Sequence, residues 1–207
     1  MKHRLTIPVM LAALALGSAA ACGGNPEPQG PTPEEIEAMR QDSIRRAEQA
    51  RQDSIRRAQE AEEARRRAEE AERQRQLQAE TAAARAILEE MIHFDYDRSA
   101  IRPDAEQRLM RKLSVLRANP DVRLRVAGHA DERGSIEYNL ALGQRRAQAA
   151  KDYLVGAGIS AGRIDIVSFG EDRPLVRASN ESAWAQNRRD EFSIIAGGNQ
   201  LRNPGGM

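Results

Sequence analysis

Aromatic residues make up only 3% of these 207 residues, which excludes one packed core running the whole length of the chain. A single cysteine, Cys22, excludes any internal disulfide. The basic total of 32 is matched by 31 acidic residues, so no strongly basic surface is expected and a nucleic-acid partner is excluded. Between Glu34 and Glu90 there is neither proline nor glycine, which leaves that stretch without the usual turn formers. Long apolar runs are missing too. The longest, Leu5 to Leu16, is too short to cross a bilayer as a stable helix.

That run has a particular setting. Lys2 and Arg4 precede it, and Gly17-Ser18-Ala19-Ala20-Ala21 separates it from Cys22, which are the flanks of a secretory signal peptide. Met1–Ala21 is therefore expected to be removed, leaving 30 basic and 31 acidic residues. The stretch Leu16–Cys22 resembles a bacterial lipobox, in which the cysteine is acylated and becomes the first residue; the alternative is a plain cleaved signal with an incidental thiol. Acyl chains at about 0.8 kcal/mol per buried CH₂ would anchor the chain without spanning the membrane. Gly23 stands where an aspartate would imply retention in the inner membrane, so the resemblance implies the outer membrane and a protein facing the periplasm.

Residues 22–33 then read as the acylated cysteine and a flexible linker, rich in Gly and Pro. Residues 34–90, dominated by Ala, Arg, Glu and Gln, predict one long charged helix. Thr32-Pro33-Glu34-Glu35 supplies a capping hydroxyl, a proline at the first helical position and acids where the helix dipole favours them. Gln41-Asp42-Ser43-Ile44-Arg45-Arg46-Ala47 recurs as Gln52–Ala58, a period of eleven that puts Ile44 and Ile55 almost on one line of the helix. The apolar stripe is thin, so a solvated single helix acting as a spacer is the main reading, with a weak or partner-dependent coiled coil beside it.

From Met91 the texture becomes that of a domain of about a hundred residues, 91–197, followed by a short tail, 198–207, expected to be disordered. Alternation predicts strands over Ile92–Tyr96, Val122–Ala127, Ile164–Phe169 and Glu191–Ala196. Helical spacing covers Pro103–Arg117 and Ile136–Gly156, the latter with Leu140, Gly143, Ala147, Ala150 and Leu154 on its core face. The order βαβα, then β, then a loop with room for a short helix, then β, predicts an α/β two-layer sandwich with two helices on one face of a small mixed sheet.

Polar groups concentrate in Gly128-His129-Ala130-Asp131-Glu132-Arg133-Gly134, where the second strand stops alternating. Asn139, Leu142 and Arg146 follow on a helix face distinct from the core stripe. A carboxylate on the loop and a guanidinium on the helix suit a zwitterion such as an amino-acid head group. The bland alternative is that Asp131 and Arg146 pair with each other at the surface. Neither side chain is expected to matter to fold stability.

Five stretches carry a resemblance: Phe94-Asp95-Tyr96-Asp97; Gly128–Ser135; Glu137-Tyr138-Asn139-Leu140-Ala141-Leu142-Gly143-Gln144-Arg145-Arg146-Ala147; Ile166-Val167-Ser168-Phe169-Gly170; and Asn187-Arg188-Arg189. On these, residues 91–196 resemble the OmpA-like peptidoglycan-binding domain family, and its outer-membrane lipoproteins in particular. The resemblance implies the diaminopimelate-containing stem peptide of peptidoglycan as ligand. Asp131 would meet the free ammonium and Arg146 the carboxylate. Arg133 and Leu142 would line the pocket, Tyr96 and Asp97 would form its opposite wall, and Asn139 would support the loop. It further implies TolB and other Tol proteins as partners, and neither cofactor nor metal. Ile136 stands where proline is common in that family, and Asp190 where an apolar residue is usual.

A wall-binding lipoprotein outside the Tol system is the nearest alternative, and a cell-wall hydrolase a remote one. For the hydrolase, His129, Asp131 and Glu132 would have to serve as zinc ligands or as an acid/base set, but one histidine among acids is a poor zinc set. No enzyme is expected. His129 reads as a loop imidazole bonded to backbone. Trp184, the sole tryptophan, reads as a core residue, with a platform facing the ligand as the alternative.

Overall fold

The computed structural model describes residues 30–205. The expected signal, Cys22 and the linker up to Gln29 lie outside the described residues. Two compact units divide at Glu60 and Ala61.

In the first unit, helix α1 (Pro33–Glu89) begins with a reciprocal cap: Glu35 N donates to Thr32 Oγ1 at 3.3 Å, and Thr32 N to the Glu35 carboxylate at 2.8 Å. Ile36, Met39, Ile44 and Ile55 are all exposed, while Asp42 and Asp53 pair with Arg46 and Arg56 one turn on. This is a solvated helix stiffened by its own charges.

The second unit carries the end of α1 and the sheet. Its elements are β1 (Ile92–His93), α2 (Pro103–Ala118), β2 (Arg123–His129), α3 (Ile136–Gly156), a 3-10 turn (Ala161–Arg163), β3 (Ile164–Gly170), α4 (Glu181–Asn187) and β4 (Arg189–Ala196). The sheet order is β1-β4-β2-β3, with β2 and β3 parallel through α3 and β4 antiparallel to both its neighbours. Leu124 and Val126 of β2, Leu109, Leu113 and Leu116 of α2, and Ala147, Ala150 and Leu154 of α3 share one core, which Ala84 and Leu88 of α1 also enter. The two-layer α/β sandwich behind a long charged helix is thus the observed fold.

Four details differ from the sequence reading. β1 spans two residues rather than five, because the chain turns at Asp95–Arg98 (Arg98 N to Asp95 O, 3.3 Å) and Asp97 takes a positive φ of 53°. Phe94, just past the strand, is buried and still donates its N–H to the Arg188 carbonyl at 2.9 Å before the chain turns away. β2 runs two residues further, to His129, and buries Ala127, Gly128 and His129. Of the expected core stripe of α3, Gly143, Ala147, Ala150 and Leu154 are buried while Leu140 is exposed, and the buried face widens to include Asn139, Leu142 and Arg146. Finally, residues 198–205 are docked rather than disordered. Leu201 is buried, and its N–H and those of Arg202 and Asn203 donate to Thr81, Asn119 and Glu80.

One contact sets the depth of the layers. A Cβ on Gly128 would fall 1.9 Å from the carbonyl oxygen of Gly143, so β2 and α3 approach backbone to backbone. This fixes the start of α3 over the end of β2, where the polar loop leaves the sheet.

Candidate functional site

The chain crosses from β2 to α3 through Ala130–Ser135. Gly134 takes φ +116°, which glycine alone adopts easily, and the Ser135 hydroxyl caps α3 by accepting from Tyr138 N at 3.2 Å. Facing this loop is the Asp95–Arg98 turn. Between the two lies a cavity of about 120 Å³.

All seven residues singled out from the sequence line it: Tyr96, Asp97, Asp131, Arg133, Asn139, Leu142 and Arg146, with Gly134 and Tyr138 completing the wall. A larger groove of about 490 Å³ lies between α1 and the C-terminal segment, but its Thr81, Asn119 and Glu80 are engaged in holding that segment. The small cavity is where opposed charges gather.

Arg146 forms its floor. The side chain is wholly buried and donates to three main-chain carbonyls: Nε to Arg98 at 2.8 Å, Nη1 to His129 at 2.7 Å and Nη2 to Asp95 at 3.1 Å. A guanidinium has five N–H donors, so two are left over. Burial pushes its pKa down to about 10, which leaves it charged at neutral pH.

Asp131 does not pair with Arg146. It accepts from Arg133 Nε at 3.1 Å and Nη2 at 2.7 Å, and from Arg188 Nη1 at 3.2 Å. Burial pushes its carboxyl up, but these bonds outweigh burial and hold it below the ordinary carboxylate range. The alternative of a surface ion pair between Asp131 and Arg146 is therefore replaced by buried pairing of Asp131 with other partners.

Arg133 is itself clamped. Its guanidinium lies 3.9 Å from the Tyr96 ring centre and 4.1 Å from that of Trp184, an arrangement that favours a cation from both sides. Trp184 is thus a half-buried rim residue rather than a core residue, with Nε1 donating to Glu132 at 3.0 Å. Asn139 donates to the Arg133 carbonyl at 3.2 Å and to Glu171, bracing the loop. Across the mouth, Tyr138 donates its hydroxyl to Asp97, which raises the phenol's pKa.

His129 is not a loop residue. It sits in β2, buried against Phe169, with neither ring nitrogen bonded among the described residues, and burial pushes its pKa down to about 4. It does not line the cavity. Arg188, which follows α4 and is buried, escaped the sequence reading of the site, where it was named only within the stretch Asn187-Arg188-Arg189.

The sequence model of the OmpA family matches residues 93–188. The chain is 45% identical over 114 residues to the peptidoglycan-associated lipoprotein of Pseudomonas putida, a match covering 55% of this chain and 67% of that one. The chain belongs to the OmpA family.

Within it, the named relatives are peptidoglycan-associated lipoproteins. That of Brucella melitensis is 45% identical over 100 residues, covering 48% of this chain; the match spans 60% of the Brucella protein's length. A crystal structure of the peptidoglycan-associated lipoprotein from Burkholderia pseudomallei aligns with a TM-score of 0.49 and 34% identity, over 50% of this chain and 88% of that one. None of these names is that of an enzyme.

Proposed function

We propose that this chain is an outer-membrane lipoprotein, anchored through Cys22, that holds the peptide stem of peptidoglycan without cutting it and so ties membrane to wall. The observation that carries the reading is one small cavity in which the Asp131 carboxylate and the Arg146 guanidinium face the same space. The head group of diaminopimelate offers both complements, an ammonium for Asp131 and a carboxylate for the two unused N–H groups of Arg146. For the ammonium to reach Asp131, Arg133 must give up one of its bonds. Its aromatic clamp keeps it at the rim when it does.

The test is pull-down of the mature chain on isolated sacculi. Asp131→Asn should weaken binding about 30-fold, the equivalent of about 2 kcal/mol for truncating one partner of a desolvated charge contact. Arg145→Ala is the control, because Arg145 is exposed on α3 beside Tyr138 and outside the cavity. Equal losses at both positions would point to unspecific charge attraction instead.

The resemblance to lipoproteins of the Tol system supports TolB as a partner, and co-purification with TolB separates this from a wall-binding lipoprotein working outside that system. The repeated part of α1 fits a spacer, since its side chains are exposed. Deleting one repeat, Gln41–Arg51, should leave sacculus binding within about twofold; abolished binding would make the repeat part of the binding surface.

A further inference from the structure

Asp190, near the head of β4, is fully buried, and neither of its carboxylate oxygens has a hydrogen-bond partner among the described residues. Buried carboxylates are normally paired, so this one calls for a reason. In the sheet it stands opposite Ile92 of β1 and Gly128 of β2. Residues opposed across an antiparallel ladder share a face, and the Cβ direction of Gly128 points at α3. The Asp190 side chain therefore lies in the layer between sheet and α3, where Arg146 stands three residues after Gly143.

The neighbours on that face are few. Ile92 and Gly128 bring no charge. Lys112 of α2 sits over the ring of Phe192, two residues along β4 on the same face. His93 of β1 and His129 of β2 belong to the opposite face by strand alternation, as do Arg189 and Glu191 of β4. From α3 comes Arg146, the one charge that draws the Asp190 carboxyl down while burial pushes it well above the ordinary range. The relation holds in reverse: of the carboxylates that stabilise the Arg146 cation, Asp190 acts most strongly, ahead of Asp131 and Asp97, with Arg188 opposing.

We propose that Asp190 is a buried counter-charge to Arg146 that sets how strongly the cavity holds an anionic group, strengthening capture when Asp190 is protonated and weakening it when ionised. The proposal rests on the stem-peptide reading for the identity of the ligand. No hydrogen bond joins the two side chains, so the coupling acts through space and leaves the guanidinium pointing at its three carbonyls and the cavity. With Asp190 neutral, a ligand carboxylate is the main answer to the Arg146 charge. With Asp190 ionised, the ligand competes with a charge already in place. Linkage is reciprocal: an anion in the cavity must raise the pKa of Asp190 by the factor by which ionised Asp190 weakens the anion. Asp190 is a positioning residue in this sense, acting through Arg146 and not touching the ligand.

Calorimetric titration of the mature chain with a diaminopimelate-containing tripeptide between about pH 5 and 8.5 tests this. Wild-type affinity should fall on the order of tenfold as pH rises through the Asp190 transition. Asp190→Asn and Asp190→Val should both lose that dependence and bind at the tighter level throughout; two variants guard against misfolding of either. His93, His129 and Lys112 remain in all three proteins, so the difference between profiles isolates Asp190. The Asp190 carboxyl carbon, followed by NMR, should titrate above ordinary aspartates and move higher with tripeptide bound. Identical profiles in wild type and variants, or an Asp190 signal that ignores the ligand, would overturn the proposal. If the tripeptide fails to bind wild type at any pH, the stem-peptide reading falls. Acetate then replaces it, and the Asp190 signal decides: movement with acetate supports the counter-charge, and none overturns it.

Discussion

Arg146→Ala should lower the free energy of unfolding by about 3–5 kcal/mol in urea denaturation at pH 7, besides removing sacculus binding. The side chain joins three separate segments: the turn after β1 through the carbonyls of Asp95 and Arg98, the end of β2 through that of His129, and α3, which carries it. Truncation leaves those carbonyls without their donor, each such loss costing more than the bond was worth, and it removes the positive charge that faces the buried Asp190 carboxyl. Contact with the Phe94 ring, 5.1 Å from the guanidinium carbon, is lost as well. Arg146→Lys keeps a charge, but one ammonium cannot span three carbonyls arranged around a planar fork, so it should recover less than half of the loss. The sequence reading expected little effect on the fold here, on the assumption that Arg146 sat on an exposed face; its burial reverses that expectation. A variant within about 1 kcal/mol of wild type would show that the three carbonyl bonds contribute nothing net.

How far this was legible in advance depends on what each signal measures. Hydrophobic period located α2, α3 and three of the four strands because their buried residues are apolar and regularly spaced. It failed at Phe94–Tyr96, where a buried aromatic continues the alternation while the backbone turns, and period reports burial rather than pairing. It found most of the core face of α3, since Gly143, Ala147, Ala150 and Leu154 are buried, but it put Leu140 there wrongly and drew the face too narrow. Arg146 and Asn139 are polar, so a hydropathy stripe skips them, although they are among the most buried residues of the helix. The cavity's residues were legible through family motifs; their pairing was not. Spacing suggested Asp131 against Arg146, while the real partners of Asp131 are Arg133, two residues on, and Arg188, which reaches it from the far end of α4. The docked C-terminal segment was missed because its anchoring relies on backbone N–H groups meeting Thr81, Asn119 and Glu80, contacts that leave no pattern of their own in the sequence.

Lys112 had such a pattern, since it interrupts the apolar series Leu109, Leu113 and Leu116 at a position that α2 must bury. Lys112→Met should lower unfolding free energy by about 3 kcal/mol at pH 9 and by about 1 kcal/mol or less at pH 6. The ammonium is fully buried and donates to the carbonyls of Ile87 at 2.8 Å, Leu88 at 2.9 Å and Glu90, groups that the end of α1 leaves without helical partners. Its charge also lies 4.2 Å from the centre of the Phe192 ring. Methionine fills the space and supplies no donor. The pH dependence follows from opposed pulls: burial, helped by Arg108 and Arg111, drives the proton off and lowers the pKa from 10.5 to about 7, while Glu90 and Glu89 hold it on, and burial is the largest. Between those two values the unfolded chain keeps a proton that the folded chain releases, so wild-type stability gains with rising pH at up to about 1.4 kcal/mol per unit, and the methionine variant, lacking the group, does not. The gap between the two proteins should therefore open from pH 7 upwards. A gap that stays constant from pH 6 to 9 would mean that the three carbonyls keep Lys112 charged throughout, and a gap near zero at every pH would mean that Lys112 contributes nothing net to holding the end of α1.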